Sequence, residues 1–205
     1  MITLLPTGTD RALAVLRGGG VGAFPTDTVY GLGGSPLLPA AVERIFRLKR
    51  RPRSQPLPLL LADRDQIDMV ALAVPPMAVR LMDRFWPGAL TLVLLRASHI
   101  PESVTAGGQG VAVRIPDHPV PRVLAQGLGV PIVGTSANIT GRPSPLTAGD
   151  VRDQLGDGVD FVIDGGCCPG GVESTVVDLT GEPSLLREGA IPRQRIEEVL
   201  GCALL

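Results

Sequence analysis

Lysine occurs once in this sequence. Every other member of its 19 Lys and Arg residues is arginine, and the lone ammonium, Lys49, lies in the stretch Arg44 to Leu60, RIFRLKRRPRSQPLPLL. Arginine presents a rigid planar fork, whereas lysine is a compact, strongly hydrated point charge suited to a phosphate oxygen. Arg44, Arg47, Lys49, Arg50, Arg51 and Arg53 crowd together in a chain of net charge −1. Such a run faces either water, as a solvated helix end complementing the helix dipole, or a bound anion.

Other segments carry groups that could complete an anion site. FPTDTVYGLGG, Phe24 to Gly34, gathers Thr26, Asp27, Thr28 and several glycines where a hydrophobic run stops. Loops after strands hold ligands in α/β proteins, although the same residues also cap their own backbone in ordinary turns. PIVGTSANITGRPSP, Pro131 to Pro145, ends a short strand in a loop carrying Thr135, Ser136, Asn138, Thr140, Arg142 and Ser144. No His or Lys adjoins Ser136, so a hydrolase-type nucleophile is not indicated, and these groups read as donors for an anion or a ribose. In GVAVRIPDHP, Gly110 to Pro119, Arg114 alternates away from Val111, Val113 and Ile115. It is either solvated or, if that second face is a cavity wall, a fork for a carboxylate. His118, between Asp117 and Pro119, reads as structural rather than catalytic.

Composition narrows the classes. The chain has 205 residues, 44% hydrophobic and 19% charged, rich in Gly and Pro, which describes a globular, loop-rich α/β protein rather than a disordered one. Aromatics are 3%, too few for a nucleic-acid module built on stacking, and a net charge near zero gives no general attraction to nucleic acid or membrane. Cys167, Cys168 and Cys202 form no C-x-x-C and have no nearby His. A disulfide framework and a zinc site are therefore not expected, and a cytoplasmic location fits. The N-terminus has neither the pattern of a signal peptide nor that of a membrane span.

The elements that would position these groups follow from periodicity. Helices are expected from Thr9, capped by its hydroxyl, to the Gly18-Gly19-Gly20 stop, and at 39–48, 63–73, 75–86, 120–126, 192–200 and from Thr147 to Leu155, the last opened by a Thr147–Asp150 capping box. Strands are expected at 21–25, 57–61, 91–95, 110–119, 161–164, 176–179 and 185–186. The helix ending at Leu48 delivers Lys49 and Arg51 at its C-terminal end, where the dipole is negative, so any phosphate there must be held by side chains. No repeat or linker divides the series, and neither a Walker A nor a GxGxxG loop occurs. One domain over 1–205 is expected.

Seven blocks in order, FPTDTVYGLGG, LKRRPRSQPL, FWPGALTLVL, VAVRIPDHP, GTSANITGRPSP, ESTVVDLTG and LLREGAI, resemble the YrdC/Sua5 family of L-threonylcarbamoyladenylate synthases. The resemblance runs from about Val21 to Ile191 and includes the hallmark K-x-R and S-x-N as Lys49, Arg51, Ser136 and Asn138. It implies a YrdC-like α/β fold, a twisted mixed β-sheet flanked by helices around a large positively charged central cavity. It implies that L-threonine, bicarbonate or CO2 and ATP, with Mg2+, give threonylcarbamoyl-AMP and pyrophosphate. That adenylate would serve tRNA t6A modification through a separate transferase, with any direct contact to tRNA weak. Carried over by position, Thr28, Arg114 and Ser174 match threonine-binding residues. Lys49, Arg51, Gln55, Ser136, Asn138, Ser144 and Arg187 match ATP-binding ones, with Lys49 and Arg51 catalytic. The chain departs from the family pattern at Gln55, where Asn is common, at Leu60, where many members place His, and at Gly110, where Thr is common. The competing readings are an RNA-binding or ribosome-maturation factor that uses the same basic cavity, and a YciO-type paralogue.

Overall fold

The computed structural model describes residues 1–205, all but the side chain of Pro6. In chain order, β1 (Ile2–Leu4) leads into α1 (Thr9–Arg17), β2 (Gly22–Phe24), β3 (Gly31–Gly33), α2 (Pro39–Lys49) and β4 (Leu59–Leu60). Next come α3 (Pro76–Phe85), β5 (Leu90–Leu95), the one-turn α4 (Glu102–Thr105), β6 (Gly110–Arg114) and α5 (Pro119–Leu128). The chain closes with β7 (Ile132–Val133), β8 (Thr135–Ser136), α6 (Ala148–Leu155), β9 (Phe161–Ile163), β10 (Thr175–Asp178), β11 (Ser184–Arg187) and α7 (Arg193–Leu200).

Hydrogen bonding divides the strands into two mixed sheets rather than the one expected. One has the order β1-β9-β2-β3-β8 and the other β11-β10-β5-β6-β4-β7. The chain passes between them at Gly134, with β7 on β4 in one sheet and β8 on β3 in the other. Apart from its edge strand β1, whose Ile2 and Thr3 are exposed, the first sheet is largely buried on both faces, as its apolar sequence requires. Ala23 and Val162 join the main core, while Phe24, Phe161 and Ile163 point the other way against Leu13 and Leu16 of α1 and Leu124 of α5. In the second sheet period-two alternation splits β5 and β6. Leu92, Leu94, Val111 and Val113 enter the core, and Thr91, Val93, Ala112 and Arg114 turn toward a cavity.

Several local expectations are corrected. Thr9 is the first helical residue of α1, with Gly8 at the N-cap and no side-chain bond. The 63–73 segment is a short 3-10 helix, Arg64–Met69, opened by the Asp63 carboxylate accepting from the Asp65 N–H. Part of the 24–34 loop is strand β3, and β1 has no counterpart in the periodicity reading because three residues are too few to show a pattern. The Thr147–Asp150 capping box is present. His118 caps α5, its Nδ1 accepting from the Val120 N–H. The three cysteines are free. Among the described residues, no helix is long and apolar enough to cross a membrane.

Candidate active site

Helix α2 carries its apolar stripe as Val42, Ile45 and Phe46, and Lys49 continues that spacing, so the ammonium is delivered to the inner face at 2% exposure. Arg50 ends the helix in the left-handed conformation at φ 49°, with the N–H groups of Arg50 and Arg51 closing on the carbonyls of Arg47 and Phe46. This turn sends Lys49 and Arg51 into one cavity of about 340 Å3, within the size range of small-molecule sites.

Lys49 Nζ donates to the Ser136 carbonyl at 2.5 Å, to the Asn138 carbonyl at 2.9 Å and to Asn138 Oδ1 at 3.1 Å. The Thr140 N–H donates to the Lys49 carbonyl at 2.8 Å, satisfying one of the free carbonyls at the helix end. The loop after β8 is thus bound to α2 from both sides. Burial first, and then the neighbouring Arg51 charge, pull the Lys49 pKa from 10.5 to about 7, with Glu173 acting in the opposite direction. Arg51 donates to the carbonyls of Gln55 and Pro56; burial, then the Arg187 charge, push its pKa down as well. Two guanidinium groups and an ammonium held this close favour a negative charge among them.

At the other end, Arg114 donates through Nε to the Gly88 carbonyl at 2.8 Å, through Nη1 to Thr28 Oγ1 at 3.1 Å and through Nη2 to Asp27 Oδ1 at 2.5 Å. Arg114 therefore lies on a cavity wall, but its fork is already engaged by Asp27. Thr26 and Thr28 hydroxyls lie 3.0 Å apart, and Thr91 and Ser174 hydroxyls 2.8 Å apart. Arg187 links the two ends, with Nη2 donating to the Ser174 carbonyl at 2.8 Å and Nη1 paired with Glu173. Glu173 Oε1 also accepts from Ser144 Oγ at 2.7 Å.

Eight of the ten residues carried over by the resemblance, Thr28, Lys49, Arg51, Arg114, Ser136, Asn138, Ser174 and Arg187, line this cavity. Gln55 does not; it is exposed, and its backbone carbonyl accepts from Arg51. Ser144 stands outside the lining and reaches the site through Glu173. Leu60 forms part of an apolar wall with Val93, Ala112 and Val176. It packs so closely on Gly134 that a Cβ there would fall 2.2 Å from Leu60 Cγ. Gly110 is not part of the lining. Thr91 and Glu173 were not singled out: a threonine inside an apolar strand carries no motif, and Glu173 stood only at the head of the EST block.

The lining includes Lys49, Arg51, Arg114 and Arg187 against one carboxylate, Glu173. No cluster of three or more His, Cys, Asp or Glu side chains able to hold a metal occurs among the described residues.

The family model Sua5_yciO_yrdC, described as telomere recombination, matches residues 14–189. The chain belongs to the Sua5/YciO/YrdC family. It is 44% identical over 191 residues to a threonylcarbamoyl-AMP synthase of Pyrococcus abyssi, a match covering 93% of this chain and 56% of that relative. The crystal structure of P. abyssi Sua5 complexed with L-threonine superposes with a TM-score of 0.94 at 41% identity, over 99% of this chain and 61% of that one. Escherichia coli YciO superposes with a TM-score of 0.81 at 29% identity, over 92% and 93%. This Sua5/YciO/YrdC chain thus spans little more than half the length of the P. abyssi relative, and its mixed α/β fold is the family's.

Proposed function

We propose that this chain forms threonylcarbamoyl-AMP from L-threonine, bicarbonate and ATP, for the t6A modification of tRNA. The observation that carries this reading is the meeting of two groups in one cavity. Arg114, Thr28 and Ser174 offer a carboxylate and hydroxyl end, Lys49, Arg51, Ser136 and Asn138 offer a phosphate end, and Arg187 spans them. The similarity to threonylcarbamoyl-AMP synthases, and to a structure bound to L-threonine, supports the same assignment.

The chemistry suits such a lining. The threonine amine takes up bicarbonate with loss of water and becomes a carbamate. A carbamate oxygen then attacks the α-phosphorus of ATP, the bond to the bridging oxygen of the β-phosphate breaks, and pyrophosphate leaves. The nucleophile is already an anion and needs no strong base, so the protein's work is to hold two anions in line and offset the charge that develops on the phosphates. Lys49, Arg51 and Arg187 have that role, while Arg114 binds the threonine carboxylate after sharing or giving up its hold on Asp27. Mg2+ accompanying the nucleotide would supply charge neutralisation at the phosphates, since the lining offers it no carboxylate cluster of its own. The adenylate is reactive and is passed to a separate transferase acting on tRNA.

The test is pyrophosphate release from ATP with threonine and bicarbonate each omitted in turn. Release that needs both supports the proposal. No release, combined with RNA binding that weakens steeply with salt, would favour an RNA-binding factor.

A further inference from the structure

Glu173 is the one acidic side chain in the cavity lining, and its surroundings are those of a phosphate. One carboxylate oxygen pairs with Arg187 Nη1 and the other accepts from Ser144 Oγ at 2.7 Å. Burial pushes its pKa up, but the Ser144 hydrogen bond, the Arg187 charge, the Ser136 hydroxyl and the Lys49 charge outweigh it and hold the carboxyl below its ordinary range. All four neighbours are groups assigned above, from the resemblance, to ATP.

The backbone beneath this side chain is fixed. The Ala190 N–H donates to the Glu173 carbonyl at 2.9 Å, and a Cβ on Gly189 would fall 2.3 Å from that oxygen, so only glycine admits the approach. The side chain is not so confined: 33% of it is exposed. A carboxylate on a rigid stem with an open route to solvent can leave its partners by side-chain rotation alone.

We propose that Glu173 is an internal anion that occupies the phosphate subsite in the empty enzyme and competes with the pyrophosphate product for Arg187 and Ser144. This inference rests on the adenylate-forming reading. Without nucleotide, the carboxylate keeps the Arg187 guanidinium paired. When ATP binds, its phosphate oxygens take over Arg187 and Ser144 and the carboxylate swings toward solvent. After the α-phosphoryl bond breaks, the returning carboxylate displaces pyrophosphate and speeds its release. Glu173 is thus a positioning residue for product release and does not touch the reacting phosphorus.

The test is calorimetric titration of inorganic pyrophosphate, with and without Mg2+, into the unaltered chain and Glu173→Gln, which keeps an amide oxygen for Ser144 but removes the charge. Glu173→Ala serves as a second variant should the first not fold. The unaltered chain is expected to bind pyrophosphate, and the variants at least about 10-fold more tightly, the factor expected when one charge-assisted competitor is lost. Dissociation should slow correspondingly in stopped flow. Equal or weaker binding by both variants beside a binding parent would overturn the role given to Glu173 and leave the adenylate-forming reading standing. Failure of the parent to bind either pyrophosphate or ATP would overturn that reading, and this inference with it.

Discussion

Lys49 and Ser136 are 87 positions apart in the chain, yet the ammonium of one lies 2.5 Å from the carbonyl oxygen of the other. With the Asn138 carbonyl and Oδ1 also accepting, the ammonium is directed at the end of β8 and the loop that follows it. Lys49 thus shapes the phosphate end of the site and supplies charge to it at the same time.

Lys49→Ala is expected to lower the rate of pyrophosphate release by about 100- to 1000-fold, the usual cost of losing one preorganised donor. Lys49→Arg should not restore it, because a guanidinium is larger than the pocket that holds this ammonium at 2% exposure. Steady-state assays on both variants, with circular dichroism to verify the fold, measure this; near-normal turnover in either would remove Lys49 from the mechanism.

Nucleotide binding should take up protons near pH 8. Burial and then the Arg51 charge pull the Lys49 pKa down to about 7, and phosphate oxygens nearby favour its charged form. Uptake approaching one proton at pH 8 and fading by pH 6, absent in Lys49→Ala, is expected from calorimetry in buffers of different ionisation enthalpy. The same group sets a stability trend for the empty protein. Its folded pKa of about 7 lies below the unfolded 10.5, so the unfolded chain holds more protons between those values. The Lys49 contribution to stability therefore rises with pH across that window.

Arg114→Ala should raise the KM for threonine far more than that for ATP. It should also destabilise the fold by about 3 kcal/mol, because it strands a largely buried carboxylate; the Arg114 and Asp27 side chains are 7% and 14% exposed. Asp27→Asn frees the fork and is expected to lower the threonine KM. Urea unfolding and substrate titrations read both effects, and a threonine KM unchanged in Arg114→Ala would refute the assignment of that end of the cavity.

Gly134→Ala is expected to cost about 1 to 3 kcal/mol by overpacking, since its new methyl would meet Leu60 Cγ at 2.2 Å. Leu60→Ala in the same chain should recover most of that loss, a coupling that a double-mutant cycle by chemical denaturation measures directly.

Much of this site is legible along the chain and some is not. Arg114 declares itself through strand alternation, since period two separates it from Val111 and Val113. Lys49 carries a similar signal that a basic-run reading obscures: spacing from Val42 and Ile45 places it on the buried face of α2, although its neighbours Arg47 and Arg50 read as a solvated end. The convergence of Lys49 with Ser136 and of Arg187 with Ser174 is not written in any local pattern, and only the ordered motif blocks pointed to it. Thr91 and Glu173 escaped because each depends on a partner far along the chain. The single sheet implied by the resemblance is two sheets because the chain crosses at Gly134, a step between two-residue strands too short to register as a period.

The most direct test of the central claim is to incubate the chain with ATP, Mg2+, L-threonine and 13C-bicarbonate and identify the adenylate by mass spectrometry. The expected result is AMP joined to a threonine carbamate carrying one 13C, formed only when ATP and threonine are both present and formed about 100- to 1000-fold more slowly by Lys49→Ala. Absence of any labelled adenylate, with the protein folded and binding ATP, would contradict the account.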